Sequence, residues 1–223
     1  MKKIIFMCFV IFLLLFGVIC LANATPTLFT DRTAFTSQGV IAENYGFEDI
    51  TVTISYFPGQ PWDTHGVTYN STSNIIFGPS STVYVPLSNI LANNNWTPLT
   101  GSINNPYTMF GFDLGIIVGN FGTAGKLDLS ITTNLATYAY NGLVVPNVNT
   151  KVMDFYGFVA GAGEFFTNFN IAIEPYSGSF PYYGPAIDNV TLGTAGAVPI
   201  PGAVWLLGSG LLGLGGWRRF RKS

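Results

Sequence analysis

Four glutamates, Glu43, Glu48, Glu164 and Glu174, and one histidine, His65, are the side chains of this sequence best suited to moving protons. Glycoside hydrolysis needs only two carboxylates, one as acid and one as base or nucleophile. None of the four stands in a recognisable nucleophile or acid motif, and an exposed or capping position accounts for each equally well. His65 lies in Trp62-Asp63-Thr64-His65-Gly66, a turn-like context, and no second histidine exists to share a zinc ion with it. Cys8 and Cys20 both precede Ala24, so everything after that point lacks a thiol nucleophile and a disulfide. No Gly-rich loop follows a strand and opens a helix, which excludes a phosphate cradle. The residues point away from an enzyme.

Aromatic side chains offer a different chemistry. Trp62, Trp96, Tyr107, Tyr176, Tyr182 and Tyr183 all fall in turn-like or loop contexts. Trp62, Trp96 and the Tyr182-Tyr183 pair are the nominees for stacking on pyranose faces. The plainer alternative for any one of them is a half-buried sandwich residue.

The elements that must carry these side chains read as strands. Phe, Tyr, Val, Ile and Thr are abundant, Gly and Pro punctuate, and helical periodicity is nearly absent. Strands are expected at 40–47, 51–57, 82–85, 107–117, 126–132, 134–140, 152–159, 166–173 and 186–192. A short hairpin is expected from 66–69 and 74–77. The Asn-rich stretch 86–106 reads as a loop, and Asn141-Gly142 as a hairpin turn. Thr30 to Phe35 is the one soluble helix signal, with Thr30 or Asp31 as cap. Short alternating strands with turn signals between them indicate an all-β fold, a two-sheet antiparallel sandwich.

The order of features is also similar to the jelly-roll carbohydrate-binding sandwiches. It has a Phe-Glu strand near the start (Phe47-Glu48) and a midway Phe110-Gly111-Phe112-Asp113. Phe155-Tyr156-Gly157-Phe158 follows, and Ile187-Asp188-Asn189-Val190-Thr191-Leu192 closes the domain. The resemblance implies that the first and last strands are neighbours, and that carboxylates there, Glu48 and Asp188, hold a structural Ca²⁺. Carboxylate and carbonyl oxygens are what this ion takes. Turn or edge chemistry is the other reading of Asp188-Asn189.

Both ends carry addresses. Met1-Lys2-Lys3, the apolar run Ile4 to Ile19 and Ala22-Asn23-Ala24 have the form of a signal peptide over 1–24, with an uncleaved anchor as the alternative. At the other end, Val198-Pro199-Ile200-Pro201 precedes an uncharged run from Gly202 to Trp217. Arg218, Arg219, Arg221 and Lys222 follow it. A run of this length is at the short end of what spans a bilayer, and the basic flank resists translocation. A plain single-pass anchor would show the apolar and basic parts. The three parts together closely resemble the PEP-CTERM sorting signal in its Val-Pro-Leu-Pro variant, from which Ile200 departs. That resemblance implies a bacterial envelope protein whose tail is recognised and cut by an exosortase, a membrane-embedded cysteine transpeptidase.

The implied organisation is a signal over 1–24, a sandwich over 25–192, a small-residue linker over 193–197 and the sorting signal over 198–223. The sandwich is thus flanked by a signal helix and a transmembrane helix. Six of the nine basic residues belong to the addresses. Arg32, Lys126 and Lys151 remain against all 11 acidic residues, a net of −8 for the exported part. Such a balance disfavours nucleic acid and suits calcium or a neutral glycan. The sequence is therefore read as a non-catalytic surface or extracellular-matrix protein. It would be held in the inner membrane before processing, with exosortase and membrane as partners in sorting and exopolysaccharide as a later one. A dedicated carbohydrate-binding module is the first alternative and a glycan-active hydrolase the second.

Overall fold

The structure is a computed structural model and describes residues 25–49, 54–57, 62–70, 74–77, 89–93, 97–118, 124–146, 152–173 and 183–196. Two antiparallel sheets make up nearly all of it. The first runs β1 (Thr27–Phe29), β12 (Asp154–Val159), β9 (Met109–Val118), β14 (Tyr183–Ala195), β7 (Ile90–Asn93), β6 (Asn74–Phe77), β3 (Ile54–Phe57), with β2 (Gly39–Tyr45) also paired to β14. The second runs β11 (Thr137–Pro146), β10 (Ala124–Thr133), β13 (Phe166–Ile173), β8 (Leu99–Ile103), β5 (Val67–Tyr69), β4 (Trp62–Thr64).

Strand alternation explains how the sheets meet. Phe110, Phe112, Leu114 and Ile116 of β9 point to one side, as do Leu127, Leu129 and Ile131 of β10 and Phe169 and Ile171 of β13, and all are buried in one cluster. Phe110 and Phe169 bridge the layers at 5.3 Å between ring centroids. Burial of such rings away from water is the main stabilising term of a sandwich.

The other side of the first sheet is covered locally by α1 (Arg32–Thr36). Asp31 caps it by accepting the Ala34 N–H at 2.6 Å, and Phe35 packs on Met109 and Phe155. The expected helix and cap are thus present.

Three expectations are corrected. The stretch from 66 to 77 is not a hairpin, because β5 pairs with β4 and β8 while β6 pairs with β3 and β7 in the other sheet. Each short strand gains two ladders that way, where an isolated hairpin offers one. The Asn-rich stretch is not all loop, since it contains β7 and β8. Its Asn93 is buried and makes backbone bonds, donating to the Thr97 and Pro98 carbonyls at 3.0 and 2.8 Å. Finally, Asn141-Gly142 does not turn the chain, and β11 runs through it as a bulge.

The C-terminal strand also reaches further than expected. Gly193, Thr194 and Ala195 pair with Ile41, Val40 and Gly39. The expected strand at 82–85, the signal helix and the transmembrane helix lie outside the described residues. Among the described residues no helix is long and apolar enough to cross a membrane.

Candidate functional site

Backbone strain locates the site. Three described non-glycine residues have left-handed φ: Phe47 at 60°, His65 at 45° and Asn189 at 47°. Each such residue costs on the order of 1–3 kcal/mol and persists only where its surroundings hold it. All three surround Tyr45. Its ring lies 4.8 Å from that of Phe47 and stacks on His65 at 4.1 Å, and its backbone pairs with Val190 beside Asn189.

Carboxylates gather at the same end. On the outer face of the first sheet, the register sets Phe155, Asp113 and Asp188 side by side across β12, β9 and β14. An extra residue in β14 between Asp188 and Thr191 makes a bulge there, with Asn189 at its apex. Asn189 donates its own N–H to Asp188 Oδ1 at 2.6 Å and its amide Nδ2 to Asp113 Oδ2 at 2.8 Å. Arg32 reaches over from α1. Its guanidinium donates to Asp113 Oδ1 at 2.7 Å and to Thr191 Oγ1 at 2.8 Å, and it lies 4.3 Å above the Phe155 ring. Thr191 in turn donates to Asn44 Oδ1 of β2 at 2.9 Å. One arginine thus offsets the carboxylates that the sheet register forces together.

The two residues expected to hold calcium are near each other, with Gly46 between them. A Cβ on Gly46 would stand 3.1 Å from Asn189 Oδ1, 3.4 Å from Asp188 Oδ1 and 3.8 Å from Glu48 Cγ. Only a residue without a side chain lets these groups converge. Asp188 is buried, and Glu48 Oε1 accepts the Asn89 N–H at 3.0 Å. The donor chemistry suits a hard cation, although it takes six to eight oxygens and backbone or water would have to supply the balance. Among the described residues no group of three or more His, Cys, Asp or Glu is placed to hold a metal.

The remaining acid–base candidates are dispersed. His65 Nδ1 lies 3.3 Å from Glu43 Oε2, an exposed contact joining the β4–β5 turn to β2. Tyr45 donates to Asp49, and burial followed by that bond pushes its hydroxyl up to about 12. Glu164 is buried in the turn before β13, where Tyr138 donates to it at 2.8 Å. Glu174 lies outside the described residues. Of the sugar-stacking nominees, Trp96 and Tyr182 lie outside the described residues. Trp62 and Tyr183 are placed only by backbone, opposite Tyr69 and Val118.

The second sheet presents a contrasting surface. One register row crosses it through Asp63, Thr68, Ser102, Asn168, Thr132 and Thr137. Side-chain bonds run along this row, from Thr68 to Asn104 at 3.0 Å, Asn104 to Asp63 at 2.9 Å, and between Thr132 and Thr137 at 3.0 Å. Apart from Asp63, the row is one of hydroxyls and amides. Sequence reasoning missed Arg32 and Asp113. The available signal was that Arg32 is one of three basic residues between positions 25 and 197, while alternation in Phe-Gly-Phe-Asp puts Asp113 opposite the core rings.

No family model and no curated protein sequence matches the chain. Among solved structures it is similar to the CBM22-1–GH10 modules of Clostridium thermocellum endo-1,4-β-D-xylanase 10B, complexed with xylohexaose. That likeness has 11% identity and a TM-score of 0.33, covering 72% of this chain and 29% of the other. It is also similar to TmCBM27, a carbohydrate-binding module with specific mannan recognition, at 12% identity and a TM-score of 0.29, covering 78% and 98%. Superpositions this loose do not bring either protein's ligand to this chain.

Proposed function

We propose that this chain is an exported, non-catalytic β-sandwich, sorted to the cell envelope by an exosortase and associated there with exopolysaccharide. The observation that carries the reading is the ordered tail, Val198-Pro199-Ile200-Pro201, then an uncharged apolar run, then Arg218, Arg219, Arg221 and Lys222. The site geometry supports a structural role. Asp113 is engaged by Arg32 and Asn189, Glu48 by the Asn89 amide, and Asp49 by Tyr45. Carboxylates held in internal bonds are poorly placed to exchange protons with a substrate. The hydroxyls and amides of the second sheet's row supply hydrogen-bonding chemistry for a glycan, and Trp62, Trp96, Tyr182 and Tyr183 are the rings to test with it. Intact-mass analysis of surface material should show loss of the C-terminal segment near Pro199–Pro201. Recovery of chain ending at Ser223 from the outer layer would leave a plain anchor in its place. Retention on exopolysaccharide should fall on Trp62→Ala or Trp96→Ala with the melting temperature kept, and an equal loss of stability would remove the sugar role.

A structural Ca²⁺ between Glu48 and Asp188 belongs to this proposal, favoured by the approach of Asn189 Oδ1, Asp188 Oδ1 and the Glu48 Cγ to Gly46. A ligand that binds only the native state adds about 2.7 kcal/mol at a hundredfold excess over its Kd. Calcium should therefore raise the melting temperature, chelator should reverse the rise, and Asp188→Ala should abolish the response. A melt indifferent to chelator removes the ion from the account.

A further inference from the structure

A sheet edge is a row of unpaired backbone donors and acceptors, and proteins that stay apart blunt it with short strands, charge or proline. Most described edges here are blunted. At the ends of the two sheets β1 and β4 have three residues each and β3 has four. Beside β14, β2 carries Glu43. The exception is β11. It is ten residues long, Thr-Tyr-Ala-Tyr-Asn-Gly-Leu-Val-Val-Pro, with no charged side chain and proline only at its last position. On one side it pairs with β10, and among the described residues nothing pairs with the other. Thr137, Ala139 and Asn141 are exposed, and Val144 is 60% exposed.

We infer that the free edge of β11 pairs antiparallel with β11 of a second copy, joining two six-stranded sheets into one. Charge argues for a second copy at this place. Two exported parts of net charge −8 repel over most of their surface, and this uncharged edge is where they can meet without opposing like charges. A two-fold axis makes an antiparallel edge self-complementary, since each residue before the axis meets one after it. With the axis near Ala139, Ala139 would meet its own copy and Thr137 would meet Asn141, side chains small enough to be tolerated opposite one another. The bulge at Asn141-Gly142 bends the strand, so the straight part centres near Ala139. A ladder this short buries less than the roughly 1,200 Å² of a stable standard interface. The contact is therefore weak in dilute solution and strengthened where many copies share one surface.

The test uses the full chain, exported by a bacterial host, with Cys8→Ser and Cys20→Ser removing the only thiols. Ala139→Cys should give a disulfide-linked dimer on mild oxidation, and Asn170→Cys, exposed in the middle of the same sheet, should not. Equal linkage at both positions, or none at 139, overturns the proposal. Charge then checks the register. Ala139→Lys and Ala139→Glu, each alone, should lower co-purification of two differently tagged copies about fivefold. Mixing the Lys and Glu chains should restore it. Failure of the mixture to associate, with both variants exported at wild-type level, overturns the proposal as well.

Discussion

Two bulges of this sandwich, one in β14 and one in β11, are built alike and lie in opposite surroundings. In β14 the extra residue puts Asn189 at φ 47°, and the Asn189 N–H is taken by Asp188 Oδ1 at 2.6 Å. In β11 it puts Gly142 at φ 67°, and the Gly142 N–H is taken by Asp128 Oδ1 at 2.9 Å. Each is an Asn-x or Asp-x step with left-handed backbone and a carboxylate bonded to a main-chain amide. Around Asn189, however, strands flank β14 on both sides, and Arg32, Asp113 and Thr191 close over the bulge. Around Gly142 there is, among the described residues, one neighbouring strand. The same local device builds a charged cluster in a central strand and bends a free edge in an outer one. Position in the sheet, rather than the dipeptide, decides which.

The comparison can be broken most forcefully at Arg32. Arg32→Met keeps the apolar stem over Phe155 and removes the charge, leaving Asp113 and Asp188 opposed across β9 and β14. Arg32 and Asp113 are 33% and 20% exposed, so the expected loss is about 2 kcal/mol, below that for a fully buried pair. Urea denaturation of the purified chain checks it. Adding Asp113→Asn should recover part of the loss, and strict additivity of the two changes would show that the pair is not coupled.

Asn189 comes next. Asn189→Ala removes the bond to Asp113 and leaves a Cβ in left-handed backbone, for an expected cost of about 1–2 kcal/mol. Asn189→Gly accepts the backbone and loses only the bond, so it should fall between wild type and the alanine variant. A glycine variant as unstable as the alanine one would assign the whole effect to the side-chain bond. At the edge bulge only asparagine and glycine change places: Gly142→Asn should be tolerated, and Gly142→Ala should cost about 1 kcal/mol through its φ alone.

These contrasts also show what could be read before any coordinates. Period-2 alternation was enough for β10 and β13, because their inner faces meet a core and their outer faces meet water. It failed for Asn141-Gly142, since a turn and a bulge ask for the same left-handed residue and differ only in what the chain pairs with afterwards. It fails for 86–106 because an Asn-rich stretch reads as loop, whereas Asn93 is buried in β7 and bonded to backbone. Within the site, the approach of Glu48 to Asp188 was legible only through the resemblance, which sets an early strand beside the last, as β2 pairs with β14. Arg32 was not, since a helix of five residues had to be docked on the first sheet before its guanidinium had an address.

The smallest expected difference lies in the carboxylates that accept the bulge amides. Asp128→Asn keeps an acceptor oxygen for the Gly142 N–H and removes one negative charge from a half-exposed edge. Its effect should stay within about 0.5 kcal/mol, as for most surface changes. Asp188→Asn makes the same chemical change where the residue is 3% exposed and beside Asp113. Two effects of opposite sign meet there. Relief of repulsion with Asp113 favours the variant, while a new buried amide donor needs a partner and opposes it. If Glu48 and Asp188 share a cation, a third effect appears, because Asp188→Asn then loses stability in calcium and not in chelator. Melting both variants in each buffer reads all three. A calcium-dependent gap at Asp188 with none at Asp128 would set the two bulges apart by ligand as well as by surroundings. Identical behaviour of the two variants in both buffers would reduce the β14 bulge to the same local device as its counterpart at the edge.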